Sequence, residues 1–211
     1  MTIRSKAACN RGDGVRIFVG VRIATAITAE LRQRAGSLRW SGIRFLAPAD
    51  VHLTLVPPWD EHSLPEAIDK LNRVTSGFSA LSLTFQHLGY GPQPRQPRLL
   101  WAECAANADI TKLRAALLQA YGQADGQPFR PHVTLARIRR NGRAIAREHP
   151  IDQFLCLSQP VTSIELFRSP ARGETGYQVL ASAPLGAGLD VNQSAPVPGS
   201  GRTPPQATRS V

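Results

Sequence analysis

The chain has few cysteines and no long apolar run, and each scarcity excludes a class of protein. Its three cysteines, Cys9, Cys104 and Cys156, are odd in number and widely spaced, with no C-x-x-C pair. Such a set favours neither a disulfide framework nor a zinc site, and it predicts a reducing compartment. No segment approaches the ~20 apolar residues of a membrane span, and residues 1–14 lack the apolar stretch of a signal peptide. We therefore expect a cytoplasmic protein with no membrane association.

Acidic residues are also scarce relative to basic ones. The chain has 25 Lys and Arg against 15 Asp and Glu, a net charge of +10, and arginine predominates among the cations. The arginine fork matches phosphate oxygens, so this balance predicts a polyanionic partner, RNA or DNA before a membrane. The alternative is a solubilising surface encoded by an arginine-favouring genome. The same two interpretations apply to residues 130–147, which contain six arginines and no acid.

Hydrophobic periodicity predicts an alternation of strands and helices. Apolar residues alternate with polar ones at residues 15–23 and 81–86, which predicts β-strands there. A further strand is predicted at residues 99–104, and a hairpin is predicted from residues 161–167 and 177–183. Residues 28–36 have helical spacing, Ser63 and Glu66 form a potential capping box, and Asn107 is placed to cap a third helix. Pro57 and Pro58 predict an abrupt strand end, because neither can donate to a ladder.

These elements predict one folded domain of the α+β class, over residues 15–185. Strand–helix–strand segments occur twice, which suggests a pseudo-twofold arrangement. Residues 1–14 are expected to be a flexible N-terminus. Residues 186–211 are rich in Gly, Pro, Ala and Ser and have few large apolar side chains, which predicts a disordered tail.

Two short segments share the pattern His-x-Thr-Leu, at His52–Leu55 and His132–Leu135. In a strand, residues i and i+2 lie on one face, so each segment presents an imidazole and a hydroxyl side by side. Roughly one histidine in two hundred would have Thr and Leu at these positions by chance. Two such cases among five histidines therefore indicate a functional site rather than a coincidence. The alternative is a structural role, in which both are strand histidines with satisfied hydrogen bonds and no part in catalysis.

Two histidines that face one substrate suit general acid–base catalysis. Free imidazole titrates near 6.5, so one ring can be neutral and act as a base while its partner is charged and acts as an acid. Thr54 and Thr134 can bind the non-bridging oxygens of a phosphoryl centre. The spacing is not a metal-binding signature, and no acidic cluster accompanies it. We therefore expect a reaction that needs no metal and no cofactor.

These motifs, with several flanking strands, resemble a known family. The matching stretches are residues 16–19, 52–55, 99–101, 129–137, 164–169 and Tyr177, so that the resemblance extends from about Arg16 to Pro184. The chain is similar to the two-histidine phosphoesterase superfamily, and within it to the RNA 2′,3′-cyclic phosphodiesterases, also called 2′-5′ RNA ligases. The paired motifs carry this resemblance, since the strands alone are not specific.

The resemblance implies a bilobal, pseudo-twofold fold in which two antiparallel sheets form a central basic cleft, with helices outside. It implies hydrolysis of an RNA-terminal 2′,3′-cyclic phosphate to a 2′-phosphate, with reversible 2′-5′ joining in some members. It makes His52 and His132 the acid–base pair. Thr54, Thr134 and Arg137 become phosphate contacts. We expect a monomer that acts on RNA ends or nucleotide cyclic phosphates.

Several features of the candidate site stay open at this stage. Val56-Pro57-Pro58-Trp59 departs from the family pattern after the first motif. Trp59 could stack a base there or simply cap the core. Arg137 lies an odd number of residues after His132, so it needs a β-bulge or a strand end just past Ala136 to face the site. Further substrate-binding candidates, from the first strand and from the arginine run, are Phe18 and Arg130.

The leading hypothesis is an RNA 2′,3′-cyclic phosphodiesterase. Three others remain: the same chemistry on small cyclic nucleotides, a module that binds RNA ends without turnover, and a scaffold in which the two motifs lie apart. The sequence does not say which histidine is the acid and which the base.

Overall fold

The computed structural model describes residues 14–36, 42–124, 126, 128–171 and 174–186. This part of the chain forms nine β-strands, four α-helices and one short 3-10 turn. In chain order they are β1 (Val15–Arg22), α1 (Thr25–Ala35), β2 (Ile43–Phe45), the turn (Pro48–Asp50), β3 (His52–Glu61), α2 (Leu64–Thr75), β4 (Leu81–Gly91), β5 (Leu99–Cys104), α3 (Ala108–Ala120), β6 (His132–Ile138), α4 (Gly142–Glu148), β7 (Asp152–Val161), β8 (Ser163–Arg168) and β9 (Gln178–Pro184).

The strands form one curled antiparallel sheet, which confirms the α+β class. Their order is β7-β4-β5-β6-β3-β1-β8-β9, and β2 pairs with β6. Between β6 and β3 the ladder has a single pair, Leu53 with Val133. The two expected sheets are therefore two halves of a continuous path that meet at this pair.

Leu53 and Val133, which join the two halves, occupy equivalent positions in the two motifs. Each is the residue between the histidine and the threonine of its motif. The motif strands are flanked on their outer sides by β1 next to β3 and by β5 next to β6. The two halves are thus related by a pseudo-twofold, and its axis passes where the motifs meet.

A single apolar core lies on the side of the sheet that Leu53 and Val133 face, and both residues are fully buried. Helix α2 packs against α3, β8 and β9, and α3 packs against β3. The Tyr121 hydroxyl, at the end of α3, donates to the carbonyl oxygen of Ala67 on α2 at 2.7 Å. Strand β1 is covered on both faces rather than half-buried, since Ile17 and Phe18 are 0% and 1% exposed. The helices therefore cover the core and leave the motif face of the sheet open.

One of the two predicted helix caps is confirmed and the other is wrong. The Asn107 side chain accepts a hydrogen bond from the backbone N–H of Ile110 at 2.9 Å, as an N-cap does. Ser63 is the N-cap of α2, but its side chain makes no capping bond. The backbone N–H of Ser63 donates to the Glu61 carboxylate at 3.1 Å. Glu61 thus accepts the hydrogen bond that Glu66 would accept in a capping box.

The prediction that Pro57 and Pro58 end the first motif strand is wrong. Strand β3 continues through both prolines to Glu61. Its register with β1 slips by one residue here, opposite Phe18. A β-bulge accommodates residues that cannot donate to the ladder, and β3 has no partner on its other side at these positions.

The flexible N-terminus predicted for residues 1–14 and the tail predicted for residues 186–211 lie outside the described residues, except for Gly14 and Gly186. Gly186 pairs with Ser79 in an isolated bridge, and its N–H donates to the Thr75 carbonyl oxygen at 3.4 Å. None of the helices in the described ranges has both the length and the hydropathy needed to cross a bilayer.

Candidate active site

The two His-x-Thr motifs line one small cavity on the open face of the sheet. Its volume is about 180 Å³. The residues that line it are Phe18, His52, Thr54, Pro58, His132, Thr134, Arg137, Ser169 and Tyr177. Six of the seven site residues predicted from the sequence are therefore brought together, and the seventh, Arg130, is not among them.

The register at the pseudo-twofold explains why four motif side chains share this cavity. Leu53 and Val133 are paired and point into the core, so the residues on either side of them point to the opposite face. In an antiparallel pair, this register places each histidine beside the threonine of the other motif. The two imidazoles and the two hydroxyls therefore alternate around one centre.

Both histidines are held by the same backbone device. The Nδ1–H of His52 donates to the Asp50 carbonyl oxygen at 2.6 Å, and that of His132 donates to the Arg130 carbonyl oxygen at 2.8 Å. A carbonyl oxygen only accepts, so the proton of each neutral ring is on Nδ1 and Nε2 carries the lone pair. In both rings Nε2 is therefore the nitrogen that is able to accept a proton.

His52 lies in an aromatic wall. Its ring centroid is 4.7 Å from that of Phe18, 5.5 Å from that of Phe167 and 4.9 Å from that of Tyr177. Burial by these rings lowers the pKa of His52, and the positive charge of Arg137 lowers it further. The Asp50 hydrogen bond and charge oppose this shift. The neutral form of His52 is thereby favoured.

His132 has a different environment. Its ring centroid is 4.4 Å from that of Trp101, and its neighbour across the ladder on β5 is Glu103. Burial lowers the pKa of His132, while the carboxylate of Glu103 partly offsets that effect. The cross-strand neighbour of His132 is thus an acid, whereas the corresponding neighbour of His52 on β1 is Arg22.

Arg137 faces the cavity because β6 contains a bulge. The ladder with β5 slips by one residue at Leu135, between the pairs formed by Thr134 and Ala136. Leu135 and Ala136 are both buried, although they are consecutive. The extra residue reverses the side-chain alternation, so that Arg137 lies on the face of His132. The bulge expected just past Ala136 is present at Leu135, and the Arg137 guanidinium donates to the Tyr177 hydroxyl at 3.1 Å.

The other motif strand has a bulge at the equivalent position. The ladder between β3 and β1 slips at Leu55, which follows its histidine by the same number of residues as Leu135 does. The residue in the place of Arg137 is therefore Pro57. The backbone of the cleft follows the pseudo-twofold, but its charge does not.

Two predicted substrate contacts have other roles. Phe18 is 1% exposed and is stacked on Phe167 at 4.8 Å, so it offers no free face to a nucleobase. It supports the ring of His52 instead. Arg130 pairs with Glu103 at 2.8 Å and lies 5.3 Å above the Trp101 ring, so its guanidinium does not line the cavity, although its charge still lowers the pKa of His132.

Trp59, in the stretch that departs from the family pattern, is used structurally. Its indole N–H donates to Glu61 at 3.0 Å, and its ring centroid is 4.8 Å from that of Tyr121. It packs against the core and does not line the cavity.

The sequence reasoning did not assign Tyr177, Ser169 or Pro58 to the site. Tyr177 is fixed by its backbone N–H, which donates to Asp50 at 2.8 Å, and its ring covers His52. The segment that leads into β9 places it there, and no periodicity in the sequence indicates this. The only signal was its position in the stretch that resembles the known family.

The remaining histidines lie outside the cavity. His62 is exposed, and His87 Nε2 is 2.5 Å from a carboxylate oxygen of Asp152. Among the described residues, no three His, Cys, Asp or Glu side chains are grouped closely enough to hold a metal ion.

Comparisons with known proteins agree with this geometry. The family model of the 2′-5′ RNA ligase superfamily matches residues 20–169. The chain is 30% identical over 129 residues to the RNA 2′,3′-cyclic phosphodiesterase of Bacillus subtilis, covering 57% of this chain and 69% of that one. It is 25% identical over 138 residues to the Archaeoglobus fulgidus protein of the same name, covering 63% and 77%.

Solved structures show the same fold. The protein TT0787 of Thermus thermophilus superposes with a TM-score of 0.69 at 23% identity, covering 82% of this chain and 99% of that one. Escherichia coli LigT complexed with 3′-AMP superposes with a TM-score of 0.63 at 24% identity, with the same shares of the two chains.

Proposed function

The chain belongs to the 2′-5′ RNA ligase superfamily, and from this premise we propose that it hydrolyses an RNA-terminal 2′,3′-cyclic phosphate to a 2′-phosphate. One observation carries the proposal. Two imidazoles whose Nδ1 protons are donated to the backbone share a single cavity with two threonines and an arginine. The relatives named RNA 2′,3′-cyclic phosphodiesterase support the choice of substrate.

In the proposed reaction, Nε2 of one histidine removes a proton from a water molecule, which attacks the phosphorus in line. The bond between phosphorus and the 3′ oxygen breaks, and the other histidine gives its Nε2 proton to that oxygen. The 2′ ester bond is retained, so the product ends in a 2′-phosphate and a 3′-hydroxyl. Positioned acids and bases each contribute about 10²–10⁴-fold to such proton transfers.

The threonines and Arg137 stabilise the phosphoryl oxygens during this step. Within the described part of the chain, the hydroxyls of Thr54 and Thr134 make no hydrogen bond to another protein group, so both are available to the substrate. Arg137 is oriented by Tyr177 and presents its charge to the same cavity. Donors held in advance at the position of developing charge cost little reorganisation.

We further propose that the reaction needs no metal ion and runs in both directions. The cavity itself supplies a guanidinium charge and two proton carriers, which are the functions a metal would otherwise provide. An RNA 5′-hydroxyl in place of water would form a 2′-5′ linkage by the same steps, without ATP.

The size of the cavity favours a second candidate, hydrolysis of small cyclic nucleotides. At about 180 Å³ the cavity has room for the cyclic phosphate end and does not itself require a longer strand. A cyclic mononucleotide would therefore react by the same chemistry.

The test is incubation of the protein with an oligoribonucleotide that ends in a 2′,3′-cyclic phosphate, followed by identification of the terminal phosphate. We expect a 2′-phosphate, at the same rate with and without EDTA. A 3′-phosphate, an unchanged cyclic end or a rate abolished by EDTA would contradict the proposal. A parallel reaction with a cyclic mononucleotide measures the second candidate.

A further inference from the structure

We propose that a second cavity, next to the catalytic one, binds the sugar–phosphate backbone of the RNA strand whose end is being processed. This cavity has a volume of about 730 Å³. We call this cavity the arginine groove, because four arginines line it: Arg32, Arg44, Arg137 and Arg139. The proposal rests on the proposed function and specifies which surface distinguishes an oligonucleotide from a mononucleotide.

The arginine groove adjoins the catalytic cavity directly. Arg137 and Tyr177 line both cavities. The catalytic cavity is much the smaller of the two, so the nucleotides that precede the cyclic end must lie outside it. The groove is the larger hollow on the same wall, and its volume lies within the range of about 300–1,000 Å³ typical of ligand sites.

The pairing of β2 with β6 concentrates positive charge in the groove. Arg44 lies directly opposite Arg137, so both side chains are on one face of the ladder. Arg139, just beyond the end of β6, is exposed and lines the same cavity. Like charges opposite each other are unfavourable in a free sheet. A bound phosphate between them would remove this cost.

The arginines of the groove are not neutralised by the protein. Within the described ranges, no carboxylate pairs with Arg32, Arg44 or Arg139. Two acids also line the cavity, and each accepts a hydrogen bond from a backbone N–H instead of pairing with Arg32, Arg44 or Arg139. Asp50 accepts from the backbone N–H of Tyr177 at 2.8 Å.

The second acid of the groove, Glu174, is held by its own loop. It accepts a hydrogen bond from the backbone N–H of Ala171 at 3.0 Å and lies 3.8 Å from the Arg168 guanidinium. These contacts leave the charges of the groove arginines available to phosphates. Arginine is suited to that partner because its fork matches the phosphate oxygens.

Positive charge lies on one side of the cleft only at these positions, because the two halves differ there in sequence. Counted from each histidine, Arg137 on β6 and Arg139 just beyond it correspond to Pro57 and Trp59 on β3. The side of β6 and β2 is therefore cationic, whereas the side of β3 has no cation at these positions. A polyanion that enters the cleft by its end would extend along the arginine groove.

The test compares two double variants on two substrates. R44A/R139A removes two groove charges that we have not placed in the catalytic cavity. R73A/R143A removes two exposed arginines that do not line either cavity, and it matches the change in net charge. The substrates are an octaribonucleotide ending in a 2′,3′-cyclic phosphate and adenosine 2′,3′-cyclic phosphate. Thermal unfolding checks that both variants fold.

For R44A/R139A we expect kcat/KM on the octaribonucleotide to fall about tenfold, while hydrolysis of the mononucleotide stays within about twofold. Its dependence on salt should also weaken, because each lost phosphate contact on a single strand changes the logarithmic slope by about 0.7. R73A/R143A should resemble the parent protein. Equal losses on both substrates, equal losses in both variants, or no loss would overturn the proposal.

A binding measurement separates this proposal from the proposed function. The anisotropy of a fluorescent octaribonucleotide ending in a 2′-phosphate reports binding without turnover. If the parent protein hydrolyses neither substrate, the proposed function fails. The arginine groove then still stands if R44A/R139A weakens this binding and R73A/R143A does not, and it fails if the two variants bind alike.

Discussion

At the scale of the residue, each imidazole of the site is fixed by a backbone carbonyl and differs from the other only in its neighbours. Aromatic rings and Arg137 surround His52, whereas Glu103 accompanies His132. The sequence was sufficient to predict both histidines and both threonines, because strand alternation alone places them on one face. It could not predict the aromatic wall, whose members come from β1, β8 and the segment before β9.

We predict that kcat/KM has a bell-shaped pH profile with its maximum below pH 6.5. Burial lowers the pKa of both histidines from their ordinary value of 6.5. Activity rises as the base loses its proton at the lower pKa, and falls as the acid loses its proton at the higher one. Both limbs of the pH profile therefore lie below pH 6.5.

The variant Glu103→Gln tests the assignment of one limb. The charge of Glu103 raises the pKa of His132, so its removal should move one limb to lower pH and leave the other in place. A maximum above pH 6.5, or a limb that moves to higher pH in this variant, would contradict the prediction.

At the scale of the element, two bulges determine what faces the cleft. The bulge at Leu135 turns Arg137 toward the cavity, and the equivalent bulge at Leu55 leaves a proline in that place. A parity argument showed that Arg137 needed such a bulge, but the sequence could not locate it. Bulges depend on the ladder between strands that are distant in the chain, and local periodicity contains no information about that ladder.

We predict that Gly20→Ala destabilises the protein. Gly20 lies opposite Thr54 on the neighbouring motif strand, and a Cβ atom there would lie 2.5 Å from the carbonyl oxygen of Leu53. The two strands would have to separate, which costs about 1–3 kcal/mol for overpacking of this kind. Urea unfolding measures the loss, and kcat/KM should fall with it because Thr54 moves.

Gly77→Ala is the matched control for this substitution. Its Cβ would make only an ordinary contact, 3.5 Å from the Val74 carbonyl oxygen. We expect a change in the free energy of unfolding below about 1 kcal/mol. Equal stabilities of the two variants would show that the contact between β1 and β3 tolerates a side chain.

At the scale of the whole molecule, the two halves build one cavity from a repeated strand and then differ in charge. The repeat of the motif was visible in the sequence and led to the correct fold class. The arginine groove was not visible, because its charges come from α1, β2 and β6 and are assembled only when β2 pairs with β6. The same holds for β7 and α4, whose residues gave no clear periodic signal.

The central claim is that His52 and His132 act together on one phosphate, and the most direct test is the hydrolysis rate of His52→Ala and His132→Ala. His62→Ala, which changes an exposed histidine outside the cavity, is the control. On an RNA ending in a 2′,3′-cyclic phosphate, we predict that each of the two site variants loses about 10²-fold or more in kcat, while the control retains the parent rate. A near-normal rate in either site variant would contradict the account.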